Sequence, residues 1–316
     1  MKVLLPQKFE IPFFHLFLYG APGAGKTKFI GDFHEAGFPV VRVSCERDVV
    51  CLPARGVFIP TIAPTSEDEL RAIIEVPDQV IKKVINKVPG LETYEPKTFA
   101  FDNLRQLQRV VFGAGATPLI KVFDGEVELP ACKDSGIMAL PNRRDATGVP
   151  SNKDYRLLDL HMRSLLSTIE EMPYHTIVTS HEERDFDILT KLSLTGDPDK
   201  DKLVSRSTTG YPALEGFSLK YDLPGLISDF YMRLTWTDGR YFVYPQPAMG
   251  YHARTRINQV MPPSLDWTNR NGYHLLEEKY KQAQSEQEKH LLSEQAKKVG
   301  KDAVLLAKRA LENKIK

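Results

Sequence analysis

No apolar run in this 316-residue chain approaches the roughly 18 residues a membrane-spanning helix needs, so no membrane partner is expected. The first twelve residues carry Lys2, Lys8 and Glu10 and do not read as a secretory leader. Cysteine is scarce. Cys45, Cys51 and Cys132 are odd in number and lack paired metal spacing, which argues against a disulfide framework and for a reduced, cytoplasmic setting. Excess charge of either sign is also missing, with 42 Lys+Arg against 41 Asp+Glu. Any nucleic-acid contact must therefore come from a local patch. No internal repeat is evident. The length suffices for one large domain or two small ones.

What is present is an alternation of strand and helix patterns. Short apolar runs predict strands at Phe13–Tyr19, Pro39–Val43, Thr98–Phe101 and His175–Thr179. Helical periodicity fills the intervals at Lys26–Ala36, Glu67–Lys87 (interrupted at Pro77) and Tyr155–Glu171. Such alternation implies an α/β fold, a mostly parallel sheet flanked by helices. From Phe230 the pattern changes: 231–236 and 241–244 read as an antiparallel hairpin turning at Asp238-Gly239, with a further short strand at 254–256. These predict antiparallel strands at one sheet edge. Residues 113–153 and 184–216 lack regular pattern, and insertions that long are usually functional or disordered. The stretch from about 275 to 316 reads as a helical extension, either a solvated amphipathic face or a contact for an oligomer or nucleic acid. The expected domains are 1–260 and 261–316.

Chemistry concentrates at Gly20-Ala21-Pro22-Gly23-Ala24-Gly25-Lys26-Thr27, followed by Lys28. Strand before and helix after is the context a phosphate-binding loop requires. Glycines let backbone N–H groups turn onto phosphates, and the helix N-terminus favours negative charge. Lys26 is expected to reach the β- and γ-phosphates of ATP, and the Thr27 hydroxyl to hold Mg²⁺. Thr98–Phe101 leads into Asp102, a strand-end carboxylate suited to the same metal, directly or through water. Asn103 follows it rather than an acid, so another carboxylate must orient the attacking water. Glu46, beyond the strand Pro39–Val43, is the candidate.

Together these features resemble the RecA-type recombinases. Cys45-Glu46-Arg47 matches the place of that family's water-activating glutamate, and Asp102-Asn103-Leu104 its metal-binding segment. His175–His181 resembles the strand ending in a γ-phosphate sensor, a role the resemblance gives to His181 in place of the usual glutamine. Arg254-Thr255-Arg256 resembles the paired basic residues that reach a neighbouring subunit's phosphates. Ser151–Tyr155, Met172–His175 and Tyr211–Gly216 are similar to phage-encoded minimal RecA-like nucleotide-binding and single-strand-annealing proteins. The resemblance spans residues 13–257.

It implies a RecA-like P-loop NTPase core, ATP hydrolysis, and a head-to-tail homo-oligomer, ring or filament, with composite sites. It further implies single-stranded DNA as partner in recombination, annealing or replication, with single-strand-binding or replication proteins nearby, in a bacterial host's cytoplasm. The DNA-binding loops would be the two patternless stretches. The first offers Lys121, Lys133, Arg143, Arg144 and Lys153, and the second Arg184, Lys191, Lys200, Lys202 and Arg206. Phe123, Phe186 and Tyr211 could stack on bases or simply pack. The rival reading is an AAA+-type remodeller or helicase loader acting on a protein.

Overall fold

The computed structural model describes residues 13–45, 52, 55–111, 122–123, 126–127, 152–185, 209–214, 219, 223, 226, 229–247, 252–287 and 289–290. Its centre is a sheet whose parallel part runs β9 (Phe230–Thr237), β1 (His15–Gly20), β7 (His175–Asp185), β4 (Thr98–Phe101), β2 (Val40–Val43), β3 (Thr61–Ile62). Antiparallel strands extend it beyond β9, through β10 (Arg240–Tyr244) and β12 (Leu265–Asp266), while β11 (Arg254–Thr255) also pairs with β9. The parallel core and antiparallel edge are as the sequence pattern predicts.

Strand alternation sorts apolar side chains onto two faces. Leu16, Leu18, Ala100 and Ile177 face α1 (Lys26–Glu35) and the helix at residues 272–287 (α6). Phe17, Tyr19, Phe99, Phe101 and Val178 face α2 (Glu67–Glu75), α3 (Pro77–Lys83), α4 (Leu104–Val111) and α5 (Asn152–Glu171). Pro77 divides α2 from α3, where its ring cannot continue the helix. The hairpin turns at Asp238 (φ 51°) and Gly239 (φ 77°), the two positive φ values of a tight type I′ turn.

Two features go beyond the sequence reading. Residues 182–185 prolong β7 past the predicted strand and pair with β8 (Thr209–Pro212), so the second patternless stretch is pinned at both ends by main-chain bonds. A short hairpin, β5 (Val122–Phe123) with β6 (Glu126–Val127), lies within the first. Of the basic residues offered there for DNA contact, Lys153 and Arg184 are placed as backbone in α5 and β7, and the others lie outside the described residues, as does Phe186. Past residue 260 there is no break in the core. Trp267 is fully buried, and Tyr273, Leu276 and Tyr280 of α6 join the same apolar cluster as Phe14 and Phe33. Among the described residues no helix is long and apolar enough to cross a membrane.

Where the parallel strands begin, a titratable cluster sits under this core. His175 Nδ1 accepts the Phe14 N–H at 2.9 Å, which requires the neutral ring, and burial lowers its pKa to about 4. Burial lowers His15 to about 4 likewise, while it raises Asp229 to about 6 despite Arg256 beside it. The unfolded chain therefore takes up two histidine protons between pH 6.5 and 4 that the fold resists, and Asp229 offsets one of them. Stability should fall across that window by on the order of 3 kcal/mol, beyond the loss from exposed carboxylates. Denaturant unfolding at pH 7 and pH 4.5, repeated for His175→Gln, checks this: the variant should show a shallower pH slope.

Candidate functional site

β1 ends at Gly20 and the chain turns through Ala21–Ala24 into α1. Gly23 (φ 78°) and Gly25 (φ 94°) take left-handed conformations that other residues rarely adopt. Gly25 stands at the helix N-cap with no side-chain cap, and the first turn of α1 carries no acid. By contrast α2 is capped by Ser66 and carries Glu67, Asp68 and Glu69 in its first turn. The α1 end is thus left for an outside anion. Gly20 is required by contact: a Cβ there would stand 2.2 Å from the Leu234 carbonyl oxygen, a backbone atom that cannot step aside. Gly20→Ala should cost about 2–3 kcal/mol, read from the denaturant midpoint.

Lys26 curls over the loop. Its Nζ donates to the Gly20 and Ala21 carbonyls at 2.8 and 3.0 Å, and the side chain is almost wholly buried. His181, which pairs with Gly20 across β7 and β1, brings Nδ1 to 3.5 Å from that ammonium. The sequence placed these residues 155 positions apart, and the sheet unites them. Thr27 is partly buried at the start of α1. The Lys28 side chain is directed away, pairing with Asp32 at 3.1 Å and lying 4.0 Å over the Trp267 ring.

Asp102 emerges from β4 on the α1 face, buried. Its Oδ2 accepts the Arg42 Nε–H at 2.9 Å. Arg42 Nη2 stands 2.9 Å from the same oxygen, close enough for charge attraction though not aligned for a bond. Thr179 Oγ1 donates to Oδ1. Asn103 is buried beside it and uses its side-chain oxygen to accept the Arg105 N–H at the start of α4. The Asp102–Asn103 peptide is cis.

Arg42 and Thr179 were not anticipated. A lone charge in the apolar run Val40–Val43 was their signal, since a buried cation in a central strand needs a partner. On the opposite face, and equally unanticipated, Arg233 of β9 makes a buried two-pronged pair with Glu182, with bonds of 2.9–3.2 Å.

A magnesium ion fits this donor set in part. A hydroxyl and a carboxylate share one face, and no group of three or more His, Cys, Asp or Glu side chains among the described residues is placed to hold a metal. Mg²⁺ is commonly held by so few protein donors together with substrate phosphates. Both Asp102 oxygens already accept a hydrogen bond, however, which suits a hold through water better than direct ligation.

The remaining predicted residues are not brought here. Arg254 and Arg256 sit near the start of β9, toward the sheet end away from the loop. There Arg254 is exposed and Arg256 pairs with Asp229 at 3.1 Å. Glu46 lies outside the described residues.

The glycine loop opens from β1, and β7 separates β1 from the strand bearing Asp102. The architecture is a mostly parallel α/β sheet with antiparallel edge strands and a glycine loop at the carboxyl end of β1. No family model matches the chain, and no curated protein matches it. Among solved structures, a KaiC-like protein from the hyperthermophilic archaeon Pyrococcus horikoshii OT3 matches with a TM-score of 0.33 and 15% identity, over 73% of this chain and 76% of that one.

Proposed function

We propose that the chain is an ATPase that binds Mg²⁺-ATP at Gly20–Lys28 and acts on single-stranded DNA as a homo-oligomer. The observation that supports it most is the buried Lys26 ammonium, held at the mouth of the loop with His181 beside it. Lys26 would exchange the two loop carbonyls for phosphate oxygens, and His181 would read the terminal phosphate. Thr27 would hold the metal directly and Asp102 through water, the ion neutralising charge on the phosphates. Glu46 would orient the attacking water.

Arg254 and Arg256 lie toward the end of the sheet away from their own loop, a placement that supports their serving another copy's site. Head-to-tail assembly into a ring or filament follows, because donor and acceptor faces differ. The DNA role, in phage recombination, annealing or replication, rests on the sequence resemblance.

Steady-state hydrolysis at low salt, with and without a single-stranded oligonucleotide, tests the whole reading. Turnover that rises with DNA supports it. Turnover indifferent to DNA but raised by a protein client would favour the remodeller. Glu46→Gln should retain ATP binding and lose hydrolysis by about a hundredfold or more, and a variant that still turns over would move the base elsewhere.

A further inference from the structure

Beyond the phosphate loop, we infer that Trp236 is the stacking surface for the base of the bound nucleotide, an assignment that rests on the P-loop reading above. Pairing of β1 with β9 stops at Tyr19 and Arg233, yet β9 runs on through Thr237, so the β9–β10 hairpin projects alongside the loop. It touches the loop at both ends. A Cβ on Gly20 would strike the Leu234 carbonyl, and a Cβ on Gly25 would come within 2.8 Å of the Tyr241 ring.

Tyr241 and Trp236 are directly opposed in the antiparallel ladder, so their side chains leave the same face about 5 Å apart. That is the α1 face, since Leu234 and Val243, two steps along the ladder and so the next pair on the same face, both belong to the cluster containing α1. Tyr241 is partly buried against Trp267, 5.4 Å between ring centres. Trp236 is 57% exposed.

A single exposed apolar residue is ordinary. This one is a large flat ring, one cross-strand step from the aromatic wall of the phosphate loop, on the flank away from Asp102. A nucleotide anchored by its phosphates at the start of α1 has its apolar face still to cover, and the indole offers a matching plane. Beside Tyr241, Thr268 Oγ1 is committed, accepting from the Tyr241 N–H and donating to Asp266, while Thr235 Oγ1 and Trp267 Nε1 are buried without a hydrogen-bond partner among the described residues. The exposed group at this end is the indole itself, and stacking on it tolerates any base. The substrate class is nucleoside triphosphates with weak discrimination between adenine and guanine.

Calorimetric titration of the full chain with ATP, GTP and inorganic tripolyphosphate tests this. Trp236→Ala should weaken ATP and GTP about tenfold each and leave tripolyphosphate unchanged, while Trp236→Phe keeps most of the affinity. Trp236 and Trp267 are the two tryptophans of the chain, and Trp267 is buried. ATP should therefore quench the emission lost in Trp236→Phe, whereas tripolyphosphate should not. Equal losses for ATP and tripolyphosphate, or none for either, would overturn the stacking role with the P-loop reading intact. Failure of both ATP and tripolyphosphate to bind the wild-type chain would overturn both.

Discussion

Lys26→Ala should abolish the thermal stabilisation that ATP confers and lower turnover about a hundredfold or more. The ammonium is the buried cation at the centre of the loop, and no other side chain described there can replace it. Lys28 is committed to Asp32 and the Trp267 ring, and His181 stands beside the Lys26 ammonium. A ligand at a hundred times its dissociation constant stabilises the folded state by about 2.7 kcal/mol, and the variant should show none of that gain. Without nucleotide the variant should melt close to the wild type, because what it loses is two bonds to loop carbonyls. Differential scanning fluorimetry with and without ATP separates the two effects. Hydrolysis within tenfold of wild type would mean that the phosphates are held elsewhere.

Arg42→Ala should be the most destabilising substitution in the site. Arg42 and Asp102 are both 3% exposed, and the guanidinium supplies the countercharge to Asp102 through both Nε and Nη2, each 2.9 Å from Oδ2. Removing one member of a buried pair strands the other charge, which costs about 3–5 kcal/mol. For a chain of this size the melting temperature should drop by about 5–8 °C. The double variant Arg42→Met with Asp102→Asn should recover most of that loss, because the amide is uncharged and can still accept from Thr179. Denaturant unfolding without nucleotide measures both. A loss below about 1 kcal/mol in Arg42→Ala would show that Asp102 has other compensation.

The reach of sequence reasoning differs from residue to residue. Asp102 was legible because an apolar strand ending in a carboxylate is a local pattern. Its partners were not: Arg42 and Thr179 lie 60 and 77 positions away, and only strand order decides that β2 and β7 both flank β4. Trp236 was visible as a strand residue, but its nearness to the loop depends on hairpin register. The extension of β7 to Asp185 was hidden because Glu182–Asp185 carries none of the apolar residues that mark a buried strand. Its pairing with β8 comes from main-chain bonds, which any sequence can make.

The glycine loop, its strand and its helix were determined by sequence alone, since left-handed glycines and a cation at fixed spacing are local requirements of phosphate binding. So were the alternation that makes the sheet parallel and the Asp238-Gly239 turn that closes the hairpin. The tertiary structure alone decided that Lys26 meets His181, that Asp102 is latched by Arg42, and that the aromatic hairpin stands against the loop. Those contacts join strands far apart in the chain. Their geometry follows from which strands are neighbours, and no local pattern encodes that.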